Sequence, residues 1–478
     1  MEYFPLMISP VGRATGKKSV IAPFSGEIIA EVETGGAEHV EHALATAYGL
    51  FRDRDLWLSN SRRIEILHKA ITLMQAQSEE LALAAALEGG KPLIDSRIEV
   101  ARAIDGLQTC IEALRTDTGQ VVPMNFNAAS NHRVAFTQKE PIGVVVAVSA
   151  FNHPLNLIVH QVAAAVAAGC PVIVKPAGDT PLSCMRFVKI LHEAGLPSVW
   201  CQALLTADND TATALVSDAR VGFFSFIGSA GVGWMLRSKL APGTRCALEH
   251  GGVAPVIVAQ DADLEDALPL LLKGGFYHAG QVCVSVQRVF AHHSIARLLA
   301  EQLANAAKAL KIGDPTLEQT EVGPLIRQAE VQRVNQWVQE ARAGGAEVLC
   351  GGEPLANNCY PCTVLYEPPA EARVSNNEVF GPVVCVYSYE KIDDAITRAN
   401  ALPVAFQAAV FTQNMDTALR AYKRLDASAV MINDHTAFRV DSMPFAGLRE
   451  SGLGVGGLVH TIADMQIEKM AVIKSGQL

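Results

Sequence analysis

At 478 residues the chain exceeds what one hydrophobic core can serve, so two or three domains are expected. Half of its residues are apolar and 18% are charged, an ordinary globular balance, and a net charge of −10 argues against a nucleic-acid binder. No run of Lys or Arg exceeds two residues, which leaves no polybasic segment for a membrane surface.

The N-terminus, Met1-Glu2-Tyr3-Phe4-Pro5, lacks the charged-then-apolar pattern of a signal peptide. The first third reads as helical. Ser61 precedes a stripe of Ile64, Leu67, Ile71 and Met74, and Asp95 opens a helix carrying Ile104, Leu107, Ile111 and Leu114. Residues 120–140 change character. Val121 and Val122 give way to an Asn-rich stretch and then to alternation over Arg133–Thr137, a projecting β-hairpin.

From Ile142 strands and helices alternate. Strands are expected at Gly143–Ser149, Pro171–Lys175, Val221–Phe226 and Arg245–Glu249, with helices at Leu155–Ala168 and Thr180–Ala194. The apolar stretch Leu157–Val174 contains His160, Gln161, Gly169 and Pro171, so it reads as a buried helix and strand rather than a membrane span. A second α/β pattern starts near Ala254. Its helices are expected at Leu264–Ala279 and Ile295–Leu310, and its strands near Val286–Ala291, Val383–Tyr389 and Ala408–Thr412. Ala463–Ile473 reads as a last edge strand. The fold class is therefore α/β with parallel sheets.

The ten cysteines are scattered, which suits a reducing, cytoplasmic location rather than a disulfide scaffold. Cys359 and Cys362 have C-x-x-C spacing, but no second pair completes a zinc site, so no metal is expected.

In an open α/β sheet, ligands bind at the carboxyl ends of strands. Asn152 and Gly228-Ser229 follow such ends, Lys175 and Glu249 are such ends, and together they are expected to line one crevice. Asn152 offers an amide donor for an oxyanion, or is simply a turn residue before Pro154. Lys175 reaches toward a ribose or phosphate, or is a solvated strand end. The Gly228–Gly233 turn offers backbone N–H groups to an anion. Glu249, beside Gly251-Gly252, is a candidate base for water, or one half of a salt bridge. Cys283, after the small residues Ala279 and Gly280, is a candidate nucleophile; a cysteine taken alone is more often a core residue.

Seven motifs in order resemble the aldehyde dehydrogenase superfamily over nearly the whole chain. They are Phe151-Asn152-His153-Pro154, Lys175-Pro176-Ala177, Phe226-Ile227-Gly228-Ser229, Leu248-Glu249-His250-Gly251-Gly252, Gly280-Gln281-Val282-Cys283, Glu378-Val379-Phe380-Gly381-Pro382 and Pro444-Phe445-Ala446-Gly447. The resemblance implies a Rossmann-like cofactor domain over 1–118 and 142–250, and an α/β catalytic domain over 251–450. It also implies a β-hairpin arm and tail, 119–141 and 451–478, that bridge subunits of a homodimer or homotetramer. It implies that Cys283 attacks an aldehyde, that Asn152 and the Cys283 N–H hold the oxyanion, and that Glu249 activates water to release a carboxylic acid. Lys175 and Glu378 match the family's contacts to the two riboses of NAD or NADP. Phe380 matches its packing residue beside the nicotinamide, and Gly228 and Ser229 match the turn under the pyrophosphate.

Four departures from the family pattern stand out. An acidic residue often follows the lysine by three positions and favours NAD by repelling a 2′-phosphate. Here that position is Gly178, with Asp179 beside it, so NAD or NADP is expected, NAD slightly favoured. Ala446 and Arg449 replace a small residue and a lysine without consequence for the reaction. Val455-Gly456 replaces an Arg-Glu pair and is expected to affect packing near the tail. His153 stands where many relatives carry an apolar residue. With Arg102 and Arg439 it forms a polar pocket for an anionic or hydroxylated aldehyde, unless Arg102 pairs with Asp105 and Arg439 with Asp441 as surface salt bridges. This pattern resembles the lactaldehyde, non-phosphorylating glyceraldehyde-3-phosphate, phosphonoacetaldehyde and sulfolactaldehyde branch. A CoA-acylating relative typically lacks the glutamate that stands here as Glu249. A catalytically silent binding protein on this fold is the remaining alternative.

Overall fold

A computed structural model describes residues 1–10 and 12–478 of the chain. Two parallel-strand sheets dominate it. The first has six strands in the order Gly452–Leu453, Arg245–Glu249, Val221–Ile227, Val144–Val148, Val172–Lys175 and Cys201–Ala203. All pairs are parallel except that with Gly452–Leu453, which runs antiparallel to Arg245–Glu249. The chain leaves Val144–Val148 toward one edge and later returns to its other side at Val221–Ile227. That reversal opens a crevice at the carboxyl ends of the strands. Val144–Val148 is buried on both faces, which explains its unbroken run of Val and Ala.

The second sheet has seven strands in the order Glu347–Cys350, Thr363–Tyr366, Val383–Tyr389, Val286–His292, Ala254–Val258, Gln407–Phe411 and Ala429–Ile432. Each sheet sits in its own core. Phe187, Phe223 and Met74 belong to the first, and Phe276, Phe290 and Tyr360 to the second.

The first third is not only helical. Glu2–Phe4, Gly16–Ile21 and Ile28–Thr34 form a three-stranded sheet before the helices begin. The alternation over Ile28–Thr34 matches its alternating burial. The helix Asn60–Ala76 is capped by Ser59, whose hydroxyl accepts from the Arg62 N–H, and not by Ser61. The helix expected from Asp95 starts at Leu93, and Asp95 instead accepts from Lys273 at 2.8 Å. Val159–Ala163 forms one π turn within the helical stretch Asn156–Ala168. There Gln161 donates to the carbonyls of Val148 and Ser225, tying the ends of two adjacent strands together.

The loop after Val148 is held by a buried ion pair. Lys91 and Glu99 are both buried and bonded to each other. The Glu99 Oε1 accepts the backbone N–H groups of Leu155 and Asn156 at 2.9 Å each. Replacing Lys91 by Met strands the Glu99 charge in the interior. The expected cost is about 3–5 kcal/mol, read as a lower urea midpoint; an unchanged midpoint contradicts this role.

Arg133–Pro141 and Gln466–Lys474 pair antiparallel over nine residues each, with Val121–Val122 beside them. The pair exposes apolar side chains on both faces, Phe136 and Ile473 on one and Met470 and Val472 on the other. Among the described residues no helix is long and apolar enough to cross a membrane, and no cluster of three His, Cys, Asp or Glu side chains is arranged to hold a metal.

Candidate active site

Cys283 sits on a loop whose path is fixed by its backbone. His278, Ala279 and Gly280 are consecutive left-handed residues, with φ of 48°, 53° and 69°. Such conformations cost about 1 kcal/mol or more for a residue with a side chain, so surrounding bonds must hold them. Gln281 does so. Its side chain donates to the Pro324 carbonyl at 3.2 Å and accepts from the Ile326 N–H at 3.0 Å. A Cβ on Gly280 would lie 2.1 Å from the Gly381 carbonyl, so glycine lets this loop lie against the segment carrying Glu378. The Cys283 carbonyl in turn accepts from the Gly252 N–H at 3.1 Å, joining the loop to the one after Glu249.

Asn152 is buried, and its amide donates one hydrogen to the Gln281 carbonyl at 2.9 Å. The second hydrogen has no protein acceptor. Around the thiol stand Val282, Val284, Phe406 and Phe445. This apolar shell has an electrostatic consequence. Burial, reinforced by the Glu378 and Glu249 carboxylates, pushes the Cys283 thiol up to about 12. Burial also raises Glu249 to about 7 and Glu378 to about 8. Two glycines make room for these carboxylates. A Cβ on Gly456 would lie 2.3 Å from Glu249 Oε1, and one on Gly251 would lie 1.8 Å from Glu378 Oε1. The Val455-Gly456 departure therefore bears on the carboxylate itself and not only on packing near the tail.

Arg439 is the cation beside this group. Its side chain is only 11% exposed, its guanidinium stacks 3.7 Å from the Phe445 ring centre, and its Nη1 is buried without a hydrogen-bond partner. The expected pairing with Asp441 is present, but as a long, buried ion pair and not a surface one. Asp441 is buried, and the closest approach of the two is 3.8 Å. Arg102 pairs with Asp441 rather than Asp105, through Nε at 3.0 Å and Nη2 at 2.7 Å. Asp441 also accepts from His160 Nε2 at 2.8 Å. Burial alone raises an aspartate, but His160 and Arg102 outweigh it and hold Asp441 well below the usual carboxylate range. Asp441 and His160 are separated from Arg102 by long stretches of chain, and no local pattern joined Arg102 to either of them.

His153 Nδ1 lies 2.6 Å from Lys91 Nζ. Burial and the Lys91 charge hold His153 well below its ordinary value, so it is a neutral ring and contributes no positive charge.

One cavity of about 710 Å³ joins these residues to the strand ends. Its walls include Cys283, Asn152, Glu249, Arg102, His153 and Arg439, and also Lys175, Gly228, Ser229, Glu378 and Phe380. Gly178 falls between two wall residues, Ala177 and Asp179. Phe380, at φ 47°, packs edge-on against Phe151 with ring centres 5.7 Å apart. The Gly228 N–H donates to the Glu249 carbonyl at 3.0 Å, and Ser229 stands at the start of the helix Ala230–Arg237 without a side-chain capping bond. Lys175 has a single hydrogen-bond partner, the Pro176 carbonyl at 3.3 Å.

The profile of the aldehyde dehydrogenase family matches residues 11–471. A 3-sulfolactaldehyde dehydrogenase of Priestia aryabhattai is 36% identical over 457 residues, covering 96% of this chain and 95% of the relative. Among solved structures, aldehyde dehydrogenase 21 of Physcomitrella patens, in complex with its reaction product succinate, superposes with a TM-score of 0.95. It is 32% identical, with 100% of this chain and 99% of that one covered. The glyceraldehyde-3-phosphate dehydrogenase GapN of Methanocaldococcus jannaschii, complexed with NADP, gives a TM-score of 0.91 at 32% identity, with 97% and 100% covered. With the profile spanning almost the full length, the chain belongs to the aldehyde dehydrogenase family.

Proposed function

We propose that the protein oxidises a small anionic aldehyde to its carboxylic acid with NAD or NADP, through a thioester on Cys283. The observation that carries the choice of substrate is Arg439. Its buried Nη1 has no hydrogen-bond partner among the described residues, and Asp441, 3.8 Å from its Nε, is already shared with Arg102 and His160, so a carboxylate or sulfonate on the substrate supplies the missing acceptor. Arg102, held by Asp441, and the neutral His153 complete the polar wall. The relatives agree in kind: one acts on sulfolactaldehyde, and another holds succinate.

The chain's own residues fit a nicotinamide dinucleotide. Glu378 Oε1 is a buried acceptor with no protein donor, as a ribose hydroxyl requires. Lys175 has its ammonium almost free. The turn at Gly228-Ser229 leaves backbone N–H groups at a helix start for a pyrophosphate. Phe380 lies in the wall for the nicotinamide. When bound, such a cofactor supplies the hydride acceptor. In domain terms, 1–118 and 142–250 bind it, and 251–450 carry the thiol.

Cys283 sulfur adds to the aldehyde carbon and its proton leaves to solvent or a nearby carboxylate. Asn152, already oriented by Gln281, points its second amide hydrogen at the oxygen that gains charge, with the Cys283 N–H. Arg439 favours the thiolate and orients the substrate anion. After oxidation the carbon is a thioester. Glu249 takes a proton from water, the hydroxide adds, and the C–S bond breaks to release the acid and the thiol. The carboxylate speaks for hydrolysis over transfer to CoA. The exposed apolar side chains on the two faces of this strand pair, Phe136 and Ile473 on one and Met470 and Val472 on the other, mark the segment through which we place a homodimer or homotetramer. Ten free cysteines suit a cytoplasmic home.

Arg439→Met tests the substrate class. For a four-carbon aldehyde with a terminal carboxylate, kcat/KM should fall about 30–100-fold, the worth of one charge-assisted contact. For butanal it should fall far less. Equal losses for both substrates contradict an anion-binding role.

A further inference from the structure

Gly178 does more than lack an acidic side chain. A Cβ added there would lie 2.5 Å from Lys18 Nζ, so the absence of a side chain is what admits the Lys18 ammonium. Lys18 comes from the strand Gly16–Ile21 at the edge of the N-terminal sheet, 160 positions away in sequence. Its neighbour Lys17 points to the opposite face, as successive strand residues do, and is neutralised by Glu31 at 3.1 Å. Lys18 has no carboxylate partner among the described residues. The nearby acid, Asp179, is turned to Arg327 at 3.4 Å, and Arg327 also meets Glu330 at 3.3 Å. Lys175, likewise without a carboxylate, is close enough to feel the Lys18 charge. Two uncompensated ammonium groups therefore converge beside the cavity walls Lys175, Ala177 and Asp179. Like charges held together without a counter-ion are unfavourable unless an anion joins them.

We infer that Lys18 is a specificity-determining residue for the dinucleotide. With Lys175 and the space left by Gly178, it seats the 2′-phosphate of NADP, which makes NADP and not NAD the preferred cofactor. This rests on the dehydrogenase reading above and reverses the slight preference for NAD expected from sequence. The phosphate brings two negative charges to two cations, whereas the 2′-hydroxyl of NAD leaves Lys18 without a partner. Selectivity then comes from a side chain outside the α/β sheet that forms the crevice.

The test is titration calorimetry on the whole protein with NADP+, NAD+ and 2′,5′-ADP, without aldehyde. The wild type should bind NADP+ more tightly than NAD+. Lys18→Met should raise the ratio of the NADP+ to the NAD+ dissociation constant about tenfold and weaken 2′,5′-ADP in parallel. Lys18→Arg, which keeps the charge, should restore most of the ratio. Gly178→Glu gives Lys18 an internal carboxylate and should also raise the ratio. Lys18 is exposed on an edge strand, so these variants should fold as the wild type does. An unchanged ratio in Lys18→Met, with both dinucleotides still bound, overturns the assignment of Lys18 and leaves the dehydrogenase reading standing. A wild type that binds neither dinucleotide overturns both.

Discussion

Cys283→Ala should leave the protein folded and abolish aldehyde oxidation, with kcat falling at least about 10⁴-fold. The thiol lines the cavity and makes no side-chain hydrogen bond that the fold needs, so the melting temperature should stay within about 2 °C. Dinucleotide binding should survive, because the residues proposed to hold it lie on other loops. Only Cys246 and Cys283 of the ten cysteines are not buried, and Cys246 is not in the cavity wall. Alkylation that inactivates should therefore map to Cys283. In the resting site its thiol is pushed up to about 12, so alkylation near pH 7 should be slow and should accelerate as pH rises. Turnover that persists in Cys283→Ala rules out this nucleophile.

Glu249→Gln separates the two halves of the reaction. Acylation does not need the carboxylate, so the first turnover should still release one equivalent of reduced nicotinamide per site. Steady-state turnover should fall about 10²–10⁴-fold, the usual worth of a general base. The pH profile follows from the raised carboxyl. A base must be deprotonated, and Glu249 is pushed up to about 7, so hydrolysis should fall as pH drops through about 7 and level off above it. Glutamine removes that limb. A wild-type profile flat between pH 5.5 and 8.5 under conditions where hydrolysis limits (roughly 1.5 pH units either side of about 7) would place the base elsewhere.

Parallel strands made the crevice readable from sequence. Lys175 and Glu249 end their strands and Asn152 and Gly228 follow theirs, and in one parallel sheet all such ends share a side. The motif residue Cys283 lies in the cavity wall, and the strand after it, Val286–His292, runs close to the expected Val286–Ala291. The first sheet's two remaining strands, Cys201–Ala203 and Gly452–Leu453, and the N-terminal sheet were harder. Cys201–Ala203 is three residues long, too short for a period to register, and Glu2–Phe4 pairs with Ile28–Thr34 across the chain.

Partners set by packing between distant segments were not readable. Arg102 looks from sequence like a partner of Asp105, one helical turn on, but it meets Asp441, 339 positions later. The local spacing was a correct geometric option that tertiary structure overrode. Lys18 and Gly178 meet in the same way, and neither carries a motif that names the other. His153 was legible as polar, but its charge was not. Burial, reinforced by the Lys91 ammonium beside it, keeps the ring neutral. Gly456 is the converse case, a visible departure whose neighbour, the Glu249 carboxylate, only the fold supplies.

The most direct test is to trap the intermediate. Glu249→Gln is mixed with NADP+ and a small carboxylated or sulfonated aldehyde, quenched in acid within the first turnover, and read by intact mass and peptide mapping. One acyl group per chain is expected, on the peptide that contains Cys283 and absent from the Cys283→Ala/Glu249→Gln double variant. Reduced nicotinamide formed without any acyl adduct, or an adduct on another cysteine, would contradict a thioester at Cys283.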